Sequence, residues 1–283
     1  MRLALDQGDG HLRGGRVTQT GRRTLRLLMI FTNLFAPLLG AFAQDLPFAP
    51  RSIPVNACNS SRFRVALDVG HYLIKPGAIS ATGATEFTYN LSLAQSALAR
   101  LRQAGFSGAF LIGESGTPLR LIERTRIARE AGADLLISLH HDSVQSQYLS
   151  QWEVNGRLEQ YSDKFHGYSL FISEKNIHRE ESKQFALLLG QALVDEGLVP
   201  SLHHAENIPG ENRTVLDARL GLYRYDDLVV LKTAPMPAVL LESGIIVNRA
   251  EEEQIREGSY HRLVVAALVR AIRDFCGLYN MSR

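Results

Sequence analysis

Six short aliphatic runs, most of them parted by stretches of helical periodicity, limit what this chain can fold into more than any other feature. They lie at 62–70 (RFRVALDVG), 108–113 (GAFLIG), 134–139 (DLLISL), 168–173 (YSLFIS), 227–231 (DLVVL) and 237–242 (PAVLLE). A strand with one wet face alternates apolar and polar residues, whereas these are apolar nearly throughout, as strands covered on both faces are. Between them, 88–105 sets Leu91, Ala94, Leu98 and Leu101 on one helical stripe stopped by Gly105, and 120–131 turns Ile122, Ile127 and Ala131 inward. A helix over 181–197 follows, and a long last helix over 251–275 carries Tyr260, Val264, Ala267, Ala271 and Phe275 on its inner side. This alternation predicts the α/β class: a single domain with a mainly parallel twisted central sheet flanked by helices on both faces. The polar stretch 144–167 exceeds the usual length of a connection and reads as a functional loop or lid.

Ahead of that domain, arginines at 22, 23 and 26 precede an apolar run from Leu27 to Leu39 and then Ala41-Phe42-Ala43, the small-x-small pattern of a signal-peptidase site. Residues 1–43 are therefore expected to be a signal peptide, 44–61 (QDLPFAPRSIPVNACNSS) a linker, 62–277 the catalytic domain and 278–283 a C-terminal tail. A retained membrane anchor is the competing reading, but a span needs roughly 20 apolar residues and this run is shorter and broken by Asn33 and Pro37. Removing the signal takes six arginines and two aspartates from 31 basic and 29 acidic side chains, leaving 25 against 27. The basic balance of the full chain thus belongs to the targeting segment, and no nucleic-acid partner and no stable membrane anchor are expected of the mature domain. Cys58 and Cys276 are too few for a zinc knuckle or a C-x-x-C redox pair. In an oxidising compartment they would staple the two ends of the domain; two buried free thiols would read the same way.

Ligands of open α/β sheets sit beyond the carboxyl ends of strands, so polar residues that close a strand take priority. LDVGH delivers His71, GATEF delivers Glu86 where a helix opens, LISLHH delivers His140, and VLLESG delivers Glu242. Singly each has a plainer explanation: a strand-end histidine is usually a hydrogen-bonded surface residue, and a glutamate opening a helix complements its dipole. Together, two imidazoles and a carboxylate are the donor set of a catalytic zinc with an open fourth position, and Glu242 at the end of an apolar strand is the proton acceptor such a site needs. His140 and His141 are adjacent in a strand and point to opposite faces, so only one of them serves the site.

Over 65–275 the chain resembles the zinc-dependent N-acetylmuramoyl-L-alanine amidases of the type-3 amidase family. The resemblance rests on Asp68-Val69-Gly70-His71, Glu86 followed by Asn90-Leu91, LRLIERTRIAREAGADLLISLHHDS, and LYRYDDLVVLKTAPMPAVLLESGIIVN with Glu251-Glu252, all in the family's order. It implies one zinc per chain on His71, Glu86 and His140, with Glu242 as the catalytic carboxylate. It also implies cleavage of the amide bond between N-acetylmuramic acid and L-alanine in peptidoglycan or a muropeptide, in the periplasm or at the cell wall. In the family's Ser-x-His pattern Ser138-Leu139-His140 supplies the ligand, and His141 stands where alanine is usual. Asp142 and Asp68 are each candidates to orient a ligating imidazole, or else local turn caps. Some relatives carry an inserted helix that blocks the zinc until an activator protein displaces it; 144–167 is placed for that role or for a substrate-contacting rim. The second polar excursion, 203–217, offers Asn207, Glu211, Asn212 and Arg213 as muropeptide contacts, or simply a solvated loop. Two other classes compete: a catalytically silent peptidoglycan-binding or activator protein on the same fold, and a serine hydrolase on Ser243 or Ser115, whose surroundings match G-x-S-x-G only in part.

Overall fold

The computed structural model describes residues 58–281, with side chains as far as Tyr279; the expected signal peptide and most of the expected linker lie outside these residues. Five of the six aliphatic runs become strands: Val65–Val69 (β1), Phe110–Ile112 (β2), Leu135–Asp142 (β3), Ser169–Ile172 (β6) and Ala238–Ile245 (β9). With the shorter Thr214–Asp217 (β7) and Leu222–Arg224 (β8) they form one seven-stranded sheet in the order β2-β1-β3-β9-β6-β8-β7. Four of its six pairings are parallel; β6 opposes β9 and β7 opposes β8.

Helices cover both faces, as strands with no polar side require. Glu86–Gln103 (α1), Arg179–Asp195 (α3) and Ser259–Met281 (α6) bury Leu93, Ala97, Phe185, Leu189, Val264 and Leu268 against Val65, Leu67, Leu135, Ile137, Val239 and Leu241. On the other face Leu121–Glu130 (α2) and Val229–Thr233 (α4) pack Ala128, Val230 and Leu231 onto Ala66, Leu136, Phe171 and Leu240. The two cysteines are bonded: Cys58–Cys276 ties the segment before β1 to α6 across a sequence separation of 218.

Four expectations need correction. The run at 227–231 is no strand but leads into the single helical turn α4, since five apolar residues between Asp226-Asp227 and Pro235 carry the same signal for either form. Within α2, Ile122 is exposed, and the inward face is Arg124, Thr125 and Ala128 instead, because Arg124 is drawn inside by a buried partner described below. The long last helix is broken at Gly258 (φ +73°) into Arg249–Arg256 (α5) and α6, although all five residues assigned to its inner side are buried. The Asn248 side chain accepts from the backbone N–H groups of Ala250 and Glu251 and so caps α5. Finally, 144–167 is no open loop: after a 3-10 turn, Ser150–Val154 (β4) and Arg157–Tyr161 (β5) form a hairpin. Its turn is Asn155-Gly156, both at positive φ, an Asn-Gly hairpin signal present in the sequence and not used.

Candidate metal centre

The parallel pairing of β1 with β3 and of β3 with β9 brings three strand ends together. His71 follows β1 after Gly70, His140 and Glu242 face each other in register on β3 and β9, and Glu86 is the first residue of α1. His71 Nε2 lies 3.0 Å from Glu86 Oε2, and His140 Nδ1 lies 3.0 Å from Glu86 Oε1. The three donor atoms all lie within 4.8 Å of one another. Ligands held at roughly 2.0–2.2 Å from one zinc ion have such separations, and three protein ligands leave the fourth position for water or substrate. The donor set fits the metal.

Close backbone approach makes this convergence possible. A Cβ on Gly70 would sit 2.5 Å from ring atoms of His140, and one on Gly77 would sit 2.2 Å from Glu86 Oε2. Only glycine leaves room for the imidazole and the carboxylate at these positions. His71 itself adopts φ +67°, a left-handed conformation that costs a residue with a Cβ roughly 1–2 kcal/mol. The strain is held by Arg124, whose Nη2 donates to the His71 carbonyl at 2.6 Å while Nη1 donates to Asp68 Oδ1 at 2.7 Å and to the Val69 carbonyl.

Glu86 is buried, which by itself raises a carboxyl pKa, yet hydrogen bonds and charge from His140 and His71 hold it well below the usual range. The backbone N–H of Ala78 and the amide of Asn90 also donate to it, at 3.0 and 3.1 Å. Glu242 behaves oppositely. Burial, then the negative charges of Asp142 and Glu86, push its carboxyl well above the usual range. Its Oε2 is buried without a hydrogen-bond partner, a costly state for a carboxylate unless a cation or a proton source faces it. A cavity of about 320 Å³ opens beside His71 and His140, with Tyr72, Lys75 and Arg120 on its wall.

His141 points to the opposite face, as alternation requires, where its Nδ1 meets Asn90 Oδ1 at 2.7 Å and its Nε2 meets His261 Nε2 at 2.9 Å. Neither aspartate pairs with the ring of His71 or His140. Asp68 is buried and takes Arg124 and the Ser138 hydroxyl, so it anchors β1 to β3 and α2. Asp142 meets His203 and His204, a pair from the polar excursion whose only sequence signal is the doublet His203-His204. Glu211 is tied to His204 and Gln145, and Arg213 lies 3.8 Å over the Tyr225 ring. The serine alternative finds no support: Ser243 is buried with its Oγ unpaired, and Ser115 pairs with Thr117. No residue of 144–167 lines the cavity beside His71 and His140; Trp152 instead pins the hairpin by donating to the Ala81 carbonyl at 2.7 Å.

A mainly parallel sheet whose strand ends gather two imidazoles, an ionised carboxylate and a second carboxyl group with an unpartnered oxygen defines the class of metal-dependent hydrolases. The family model described as N-acetylmuramoyl-L-alanine amidase matches residues 65–274, and the chain belongs to that family. It is 26% identical over 214 residues to a putative N-acetylmuramoyl-L-alanine amidase of Buchnera aphidicola (subsp. Baizongia pistaciae), covering 75% of this chain and 95% of that protein. It is 27% identical over 233 residues to the probable amidase AmiB of Haemophilus influenzae, covering 75% of this chain but only 51% of that longer protein. Among solved structures, the fold matches the amidase Ami1 of Mycobacterium smegmatis with a TM-score of 0.59 at 18% identity, over 77% of this chain and 98% of that one.

Proposed function

We propose that this chain hydrolyses the amide bond between N-acetylmuramic acid and L-alanine in peptidoglycan or its muropeptides, with one zinc ion held by His71, Glu86 and His140 and with Glu242 as the catalytic carboxylate. The observation that carries the reading is the unpaired, buried Oε2 of Glu242 on the strand next to His140. Bound zinc supplies Lewis acidity, polarising the amide carbonyl and lowering the pKa of a water toward ~7. Glu242 takes the proton of the attacking water and passes it to the alanine nitrogen, which cannot leave as an anion. Asn90 and the Ala78 N–H hold Glu86 so that its two oxygens face the two imidazoles. Lys75 and Arg120 on the cavity wall offer positive charge to the carboxylates of a stem peptide.

A catalytically silent wall-binding protein has no use for an ionised carboxylate between two imidazoles and an uncompensated one beside them, and hydrolysis is the reading the site favours. No residue of 144–167 lines the cavity beside His71 and His140, which supports assaying the purified chain both alone and with a candidate activator. We also propose export across the inner membrane, with residues 1–43 as signal and 44–61 as linker to a catalytic domain over 62–277. The Cys58–Cys276 bond suits an oxidising compartment, and no helix among the described residues is long and apolar enough to cross a membrane. The test is Glu242→Gln on peptidoglycan, with free stem peptides read by mass spectrometry. Turnover is expected to fall by ~100-fold or more with zinc content unchanged, and an active variant with bound zinc overturns the assignment of the base.

A further inference from the structure

Beyond the centre described above, a second set of donors converges where β3 ends. The bulge between His140 and Asp142 re-aims the strand, and the 3-10 turn His203–Ala205 lays two imidazoles against the Asp142 carboxylate. His204 Nε2 lies 2.8 Å and His203 Nε2 3.2 Å from the same oxygen, Asp142 Oδ2. These separations match the 3.0 Å spacings of the His71–Glu86–His140 set, and again the donor atoms all lie within 4.8 Å of one another.

The far side of each ring is also arranged. His204 Nδ1 meets Glu211 Oε2 at 2.8 Å; an ionised carboxylate only accepts, so that nitrogen carries a proton. His203 Nδ1 meets the Ser201 hydroxyl at 2.9 Å. Oxygen partners behind both imidazoles turn both Nε2 atoms toward Asp142, the arrangement that outer partners give metal-bound histidines. His203 Nε2, in a side chain only 2% exposed, has Asp142 Oδ2 before it at 3.2 Å but not in hydrogen-bond alignment. A buried ring nitrogen and a carboxylate oxygen that face each other out of hydrogen-bond alignment suit a cation seated between them. Two carboxylates, Asp142 and Glu211, also leave this pocket short of positive charge, and a divalent ion balances both.

We propose that Asp142, His203 and His204 form a second divalent-cation site, of zinc-like chemistry, sharing no residue with His71, Glu86 and His140. Two imidazoles and one carboxylate suit zinc, cobalt or nickel and disfavour magnesium and calcium, which take oxygen ligands. The ion ties the end of β3 to the 201–217 excursion, so its role is to hold this segment beside the catalytic strands.

The test titrates the chelator-stripped full chain with Zn²⁺ and with Co²⁺, reading stoichiometry by calorimetry and by the visible bands of cobalt. The wild type is expected to bind two equivalents, Glu86→Gln one, and the double variant His203→Ala/His204→Ala one. A Glu86→Gln protein that binds no metal at micromolar ion overturns the proposal, and protonation of His204 then accounts for the cluster. Loss of all metal in the His203→Ala/His204→Ala protein with full binding in Glu86→Gln refutes the catalytic centre instead, so the two assignments fail separately. Should the double-histidine variant not fold, the Glu86→Gln measurement decides alone.

Discussion

Replacing Arg124 by alanine tests the physical account of the site at its least conspicuous point. Arg124 is 2% exposed and Asp68 1%, and the guanidinium is the one cation paired with that carboxylate, the Ser138 hydroxyl being its other partner. Removing one partner of a buried ion pair leaves an uncompensated charge and costs about 3–5 kcal/mol. Arg124→Met with Asp68→Asn removes both charges together and is expected to recover at least ~2 kcal/mol of that loss, since a buried pair contributes little net stability over neutral replacements. The site adds a second readout. Without Nη2 on its carbonyl, His71 is free to leave φ +67°, and relief of roughly 1–2 kcal/mol of left-handed strain weakens zinc binding by about 5–30-fold. That weakening persists in the double variant, because the carbonyl contact and not the ion pair is what holds His71. The assays are urea unfolding of metal-free protein by far-UV circular dichroism, and competition for zinc against a chelating dye. A cost below ~1 kcal/mol for Arg124→Ala, or full zinc affinity in the double variant, refutes this reasoning.

Three further outcomes follow from single contacts. Gly70→Ala keeps an ordinary backbone but places a Cβ 2.5 Å from the His140 ring, so the folded protein is expected to lose zinc affinity at least ~10-fold with an unchanged circular dichroism spectrum; tight zinc binding in this variant contradicts the cradle. His261 is pushed down to about 4 by burial. The unfolded chain takes up that proton near 6.5 and the folded one only near 4, so about 3 kcal/mol of stability is lost as pH is lowered from about 6.5 to about 4; His261→Leu should flatten that part of the stability profile, and an unaltered profile removes the assignment. Breaking Cys58–Cys276 with Cys58→Ser/Cys276→Ser opens a loop of 218 residues and is expected to cost about 5 kcal/mol in the chain-entropy account, read as a lower urea midpoint; an unmoved midpoint shows the bridge to be dispensable.

The sequence by itself determined the class of fold and singled out the four candidate chemical positions, for two reasons. Strands buried on both faces must be aliphatic throughout, and strand-end polar residues have one place to go in an open α/β sheet. Alternation along β3 likewise separated His140 from His141 before any coordinates. What the local pattern could not decide were matters set by distant partners. The five-residue run before Pro235 suits strand or helix equally until its neighbours choose, and Arg124 reads as a surface charge until Asp68 is found 56 residues away. The same holds for His203 and His204, whose meaning depends on Asp142 at the end of another element. Periodicity reports which face of an element is buried, but only tertiary structure reports what a buried polar atom meets there, and in this protein those meetings set the strain at His71, the charge on Glu86 and the unpaired oxygen of Glu242.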